Sequence, residues 1–510
     1  MTTDPRDLSA LNAFARFGLG PKPGDLRRVA SDPRGAVKAE LMRRDVALLP
    51  DPYLDSTEEI ARSFIERKTL RRMRNGRELK GRRETVAEMM RAEGRLPAEK
   101  PKPVRASPDD GGMAGNDMGG NDMGGGKKGG RRDDKVEPMT NIPDPAKSPM
   151  PDEIDARIVR ARNCDIGFVE RWVSFWGDHF TVSSKGGKYV GWLGGAYERE
   201  AIRPHALGRF SDLLLAASRH PAMLIYLDLD DSRGPNSPAG GKKGKGFNEN
   251  HARELLELHT VGVDGGYTQK DVTSLAYALT GWRTVRRPKA ENLGGYEFDS
   301  DAHEPGAQTV LGKSYPDTGA EQGAAILADL ARKPATARHV ARRVAVAFVS
   351  DDPPPGLVAR LEKSFRDTDG DLRELALALI SSDEAWSAPR TKMRSAKEFV
   401  FASARALERP DTKLLIKGLQ ALGQPMWGAP SPKGFSIYGR DWIAPDAQTN
   451  RLDLAVDLAE EHGPRMDPNA LADDLLGDVM SDETRTAVKR AGSREQALAL
   501  LLMSPEMQRR

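Results

Sequence analysis

The residues best placed to do chemistry lie in one run, FNENHARELLELHTVGVDGGYTQKDVTSLAYALTGW, from Phe247 to Trp282. At about 100° per residue, Asn250, Glu254, Glu257 and Val261 share one stripe of a helix, with Arg253 beside it. Ala252, Leu255, Leu256 and His259 face the other way. Two carboxylates, an amide and a guanidinium on one face can line a polar cleft or bind a divalent metal, with Glu254 or Glu257 as ligand or general base. The plainer alternative is a solvated face in which Arg253 or a neighbouring chain pairs with the glutamates. His259 reads either as a ligand or as a core histidine bonded to backbone. No His-Glu-x-x-His and no Glu-x-x-His occurs in the chain, so neither a zincin helix nor the di-iron bundle pattern is present.

Other candidates lie outside this run. His179 follows Asp178, a neighbour that can orient an imidazole. His303, in Asp301-Ala302-His303-Glu304, falls in a connection, where residues held over a scaffold often carry function. His220 precedes Pro221 at a helix start, where it can serve as a cap.

The element that must position the central residues reads as helix, turn, helix. Asn248 or Asn250 can cap the first helix, and Gly262 with Gly265-Gly266 stops it. Thr268 and Asp271 resemble a capping box opening the second, which Gly281 ends. Upstream, residues 230–247 form a Gly-, Pro- and Lys-rich loop. Leading into a helix N-terminus, it is either an anion site or a surface loop; it is no P-loop.

This stretch resembles the signature of the bacterial "domain of unknown function 1800" family. The residues that carry the resemblance are Asn248-Glu249-Asn250, Ala252-Arg253-Glu254, Leu256-Glu257-Leu258-His259-Thr260, Gly262, Gly266-Tyr267-Thr268, Asp271-Val272 and Leu279-Thr280-Gly281-Trp282. RFGLGPKPGD near the N-terminus, FWGDHFTV at Phe175–Val182, the SRGPNS segment at Ser232–Ser237 and the region near Trp442 and Arg451 extend it over nearly the whole chain. The resemblance implies a helical fold and no agreed activity. Members are often encoded beside a family that looks like sulfatases and alkaline phosphatases, which implies, by association, a partner or maturation role. Within the family-like motif, His179 is the leading histidine for a site. His251 stands where an aromatic or aliphatic residue is more usual.

Composition bounds the rest. The 510 residues are long enough for two to four folding units, and 78 Lys+Arg against 75 Asp+Glu leave no call for nucleic acid as a global partner. The single cysteine, Cys164, excludes an intramolecular disulfide and a cysteine-based metal cage. No apolar run approaches a membrane span, and the N-terminus shows no apolar leader and no twin arginine, so the expected location is the cytoplasm.

The expected fold is mainly α: a multi-helix globular core, at most a small β-hairpin built from Tyr296–Phe298 and Thr309–Leu311, and a disordered Gly/Met-rich insertion. The expected division is an N-terminal helical region at 1–106, the insertion at 107–150 and the core at 151–510. Trp172, Phe175 and Trp176 recur at helical spacing and read as core. The stretch 411–450 carries Trp427, Phe435, Tyr438 and Trp442 among glycines and prolines, a segment able to pack as a lid and close a ligand cleft. A site is expected near the N-terminus of the Asn248 helix, walled by His179, the 230–247 loop, Asn248, Asn250, Arg253, Glu254, Glu257 and His303. Two functions follow: an accessory or binding factor for a sulfatase- or phosphatase-like enzyme, or a metal-assisted hydrolase.

Overall fold

The computed structural model describes residues 5–75, 77, 79–96, 146–240, 246–407 and 409–510. The insertion expected at 107–150 lies outside these up to residue 145, as do Gly241–Lys245 of the Lys-rich loop. The described residues hold twenty-four α-helices and two two-stranded antiparallel sheets. None of those helices is long and apolar enough to cross a membrane.

The β-structure differs in its pairing from the expected single hairpin. Tyr296–Phe298 pairs back with Trp282–Thr284, and Gln308–Val310 pairs with Lys313–Tyr315. The reason is local. Leu311 and Gly312 both take positive φ, 47° and 80°, which makes a tight two-residue turn and returns the chain on itself at once.

Contacts divide the chain into two units. One comprises 1–60, 148–285 and 294–510; the other comprises 61–147 and 286–293. Residues 1–60 therefore belong with the large helical unit rather than with a separate N-terminal region. The smaller unit has its own apolar cluster of Leu70, Met73, Val86, Ala87, Met90 and Leu96.

Within the large unit, the helix Phe168–His179 is the central beam. Trp172 and Trp176 are fully buried, and the Glu40 carboxylate caps its N-terminus, accepting from the backbone N–H of Ile166, Gly167 and Val169 at 2.6, 3.0 and 3.0 Å. Against it lie Phe348 of the helix Pro334–Phe348, Lys397 and Glu398 of Ala396–Ala406, and His259, which follows the signature helix Asn250–Glu254. The signature helix continues as a wide π-turn, Leu255–His259. Two other π-turns, Ala13–Phe17 and Glu198–Ile202, carry buried charge, Arg16 and Glu198. Such turns rotate side chains off the 3.6-residue register and recur at functional sites.

Two of the caps expected from sequence form, whereas the signature helix starts from Glu249 without a side-chain cap. Thr268 and Asp271 make a reciprocal capping box. His220 Nδ1 accepts from Ala222 N at 3.1 Å. Asp371 caps the helix Leu372–Ser381, accepting from Arg373 N and Glu374 N.

Candidate ligand cleft

The helix Phe168–His179 turns two faces to its surroundings. Trp172 and Trp176 fill the core. Arg171, Ser174, Phe175 and Asp178, spaced i, i+3, i+4, i+7, make the other stripe and line a cleft. Its opposite wall is the start of Ala396–Ala406, with Lys397, Glu398 and Phe401; the aromatic segment 424–442 covers it. Two adjoining chambers result, of about 70 and 40 Å³. Ser174, Asp178, Lys397, Gln424 and Phe435 are common to both.

The covering segment is fastened at several points. The Trp427 carbonyl accepts from Ser184 N at 2.8 Å, and the Ala429 carbonyl from Ser183 Oγ at 2.6 Å. The Trp427 ring lies 4.7 Å from the Arg157 guanidinium, and a Cβ at Gly194 would sit 2.6 Å from it. Gly434, at φ +79°, presses on the Asp178 carbonyl. Asp351 accepts from Gly439 N and Arg440 N at 2.7 and 3.0 Å. Lys392 ties Asp351 to the Ile437 carbonyl, which its Nζ reaches at 2.7 Å. Phe435, between these fastenings, and Trp442, just beyond the last, close the cleft.

The floor is strongly cationic. Glu398 bridges Arg171 Nε and Arg510 Nε, each at 3.1 Å. Burial alone would raise the Glu398 carboxyl; Arg510 and Arg171 outweigh it and hold it down at about 2. Behind them Arg16, Arg394 and Lys392 are also buried, and Arg390 is half-buried. Burial lowers Arg394 to about 9 and Lys392 to about 8, and neighbouring arginines push the same way. Most of these guanidinium groups are anchored on carbonyl oxygens. Arg510 reaches Phe348 O and Ala347 O at 3.2 and 2.7 Å, and Arg16 reaches Ala385 O at 2.8 Å. At the junction of the chambers, Lys397 Nζ lies 3.4 Å from Asp178 Oδ2; burial raises the Asp178 carboxyl, while Lys397 and Arg343 pull it back.

The expected site residues are distributed more widely than a single cleft. His179 and His259 do come together, with His339: ring centroids of His179 lie 6.0 Å from His259 and 6.2 Å from His339. His179 Nε2 donates to the His259 carbonyl, and His339 Nε2 to the Leu258 carbonyl, both at 3.0 Å. Both ring nitrogens of His259 and of His251 are buried without a partner. Burial holds all four imidazoles neutral, lowering His251 to about 3 and His339 to about 4, with Arg343 adding to the effect on His179, His259 and His339.

His303 lies elsewhere, with Nδ1 2.9 Å from the Thr280 carbonyl and Nε2 3.4 Å from Asp317. His220 is a cap whose Nε2 faces Glu200 and Thr57 Oγ1 at 3.3 and 3.2 Å. Asn248 accepts from Asn250 N at 2.8 Å, and Asn250 itself is exposed. Arg253 pairs with Glu249 and Gln269, at 3.1 and 2.9 Å, not with the two glutamates. Glu254 and Glu257 stay half-buried, and the Glu254 carboxyl is raised by burial and then by Glu257. Among the described residues no three His, Cys, Asp or Glu side chains are grouped to hold a metal. His179, Glu254 and His303 thus do not fit a divalent ion as arranged. Cys164 is a packed thiol, pushed up to about 12 by burial, with Arg405 Nη1 at 3.2 Å.

Sequence reasoning passed over Ser174, Lys397 and Gln424. One signal was available: Lys397 is a cation in the first turn of a helix, where an acidic residue is the usual choice.

A family model described as "Protein of unknown function (DUF1800)" matches residues 12–509. The chain belongs to this family. No curated protein and no solved structure matches it. For a DUF1800 chain, then, the cleft and the histidine cluster are the features from which a function has to be argued.

Proposed function

We propose that this protein is a binding or accessory factor and that the cleft beneath residues 424–442 receives its ligand. The observation that carries the reading is the combination at the chamber junction: aromatic walls, a fastened covering segment, and polar side chains from three separate elements converging on one partly open cleft. The partner class to test first is a sulfatase- or phosphatase-like enzyme, on the strength of family association alone. A cytoplasmic setting and the absence of a nucleic-acid partner rest on the sequence. Native protein, denatured after gentle purification, is expected to release a bound small molecule detectable by mass spectrometry, and Phe435→Ala protein to release much less. Equal release from both proteins, or none from either, would count against the cleft.

A metal-assisted hydrolase is the second reading. Glu254 favours it, a half-buried carboxyl raised by burial and by Glu257 toward the range of a general base. His179 and His303 would have to move to join it. Metal content of wild type and Glu254→Ala protein decides: stoichiometric metal lost in the variant would install this reading, and none in either removes it.

A further inference from the structure

The five side chains shared by the two chambers are not chemically balanced. Asp178 is the one carboxylate among them, and Phe435 is apolar. The other three are donors with little to donate to. Lys397 Nζ has a single contact, the 3.4 Å approach to Asp178, for three N–H bonds. Gln424 is only 3% exposed, its Oε1 accepts from Lys397 N at 2.7 Å, and its Nε2 makes no hydrogen bond among the described residues. Ser174 Oγ likewise makes none. Gln424 Nε2 opens onto the chamber without a protein partner, so its N–H₂ is available to a ligand there.

The surroundings push toward the same charge. Lys397 stands in the first turn of the eleven-residue helix Ala396–Ala406; the Ser395–Glu398 capping box and Gln424 Oε1 already satisfy that helix end, so it is the Lys397 side chain that brings positive charge to the junction. Arg171 and Arg510 share one carboxylate, Glu398, and Arg394 is fully buried with neither Nε nor Nη2 paired. In the larger chamber Arg171, Lys397 and Arg510 outnumber Asp178 and Glu398, while Glu198 in the smaller chamber is already held by Arg157 and Arg203. The larger chamber adds apolar walls from Phe175, Phe348, Phe401 and Trp442.

We propose that the junction of the two chambers binds a small organic oxyanion, with Lys397, Gln424 and Ser174 holding the charged head and the aromatic chamber holding an apolar body. The proposal rests on the cleft being the ligand site. A space of this size takes the place of on the order of ten waters, which suits a single-ring compound. Carboxylate and phosphate heads meet the same three donors, so both belong in the test.

The full-length protein is titrated by calorimetry and thermal shift with phenylacetate, phenyl phosphate, 2-phenylethanol, benzylamine and inorganic phosphate. One of the two aromatic anions is expected to bind at least fivefold more tightly than the alcohol and the amine, and more tightly than inorganic phosphate. Which anion leads identifies the head group. Lys397→Met is expected to weaken that anion at least tenfold. Gln424→Leu, a milder change, covers the case in which the lysine variant fails to fold, and is expected to weaken it severalfold. The alcohol or amine binding as tightly as the anions, with Phe435→Ala abolishing that binding, would overturn the anion proposal and leave the cleft standing. No probe binding at millimolar concentration would overturn both. Anion affinity unchanged in Lys397→Met and Gln424→Leu would also overturn the proposal.

Discussion

At the scale of single residues, the buried histidines set the response to acid. His179, His251, His259 and His339 are lowered in the fold by burial, from an unfolded value near 6.5. As pH falls below about 6.5 the unfolded chain takes up protons that the folded chain refuses, so stability declines, by about 1.4 kcal/mol per group for each pH unit. The depressed carboxylates act in a lower window. Glu398 and Glu198, both near 2 in the fold, lose their contribution only as pH falls from about 4.5 toward 2. A steep loss between pH 6.5 and 4.5 is therefore expected in denaturant titrations, and His251→Leu, which removes one neutral imidazole that has no hydrogen-bond partner, should make it shallower. An unchanged slope in that variant would assign the acid response elsewhere. Gly434 is a second position with a defined outcome. Its φ of +79° and a Cβ position 2.5 Å from the Asp178 carbonyl leave no room for alanine. Gly434→Ala is expected to cost about 1–3 kcal/mol and to displace Phe435 from the cleft, seen as lost probe binding.

At the scale of elements, what could be read from sequence was what is local. The Thr268–Asp271 capping box, the His220 cap and the glycine stops each depend on residues within a few positions, and they form as their spacing implies. The signature helix buries the face that carries Ala252, Leu255, Leu256 and His259. The cleft was not legible, because its parts come from positions as far apart as Arg171, Lys397, Phe435 and Arg510, and each is unremarkable in its own window. The covering segment was visible as an aromatic-rich irregular stretch; its fastening was not. Asp351 and Lys392 hold it from outside its own sequence, and Arg253 found Glu249 one turn back rather than the glutamates beside it. Asp351→Ala tests the fastening. It strips acceptors from Gly439 N and Arg440 N and leaves Lys392 buried beside Arg510 without its carboxylate. The expected result is faster proteolytic cleavage within 424–442 and a stability loss of roughly 3 kcal/mol. Cleavage at the wild-type rate would mean that the Trp427 end alone holds the segment.

At the scale of the molecule, the division of the chain changes what counts as the core. The sequence places a helical core at 151–510, yet its central helix depends on residues that precede it. Glu40 supplies the cap of Phe168–His179 through three bonds to backbone N–H groups, each worth roughly 1.5–3 kcal/mol as a charge-assisted bond. Arg16 holds Ala385 O at 2.8 Å and Ala388 O at 2.6 Å, and its own carbonyl takes the Arg171 guanidinium at the cleft floor. Phe14 and Phe17 are fully buried, at roughly 1.5–3 kcal/mol apiece. Summed, these contributions are comparable to the whole stability of an ordinary domain, about 5–15 kcal/mol. A 151–510 fragment should therefore fail to fold cooperatively, and co-expressed 1–60 should restore a cooperative melt. Glu40→Gln in the full chain separates cap from core. It keeps the side chain's size, weakens three bonds at once, and is expected to lower the melting temperature without abolishing folding. A fragment that melts cooperatively on its own would show instead that the tryptophan helix is capped well enough by Gly167 and solvent, and that residues 1–60 are an addition to the core rather than part of it.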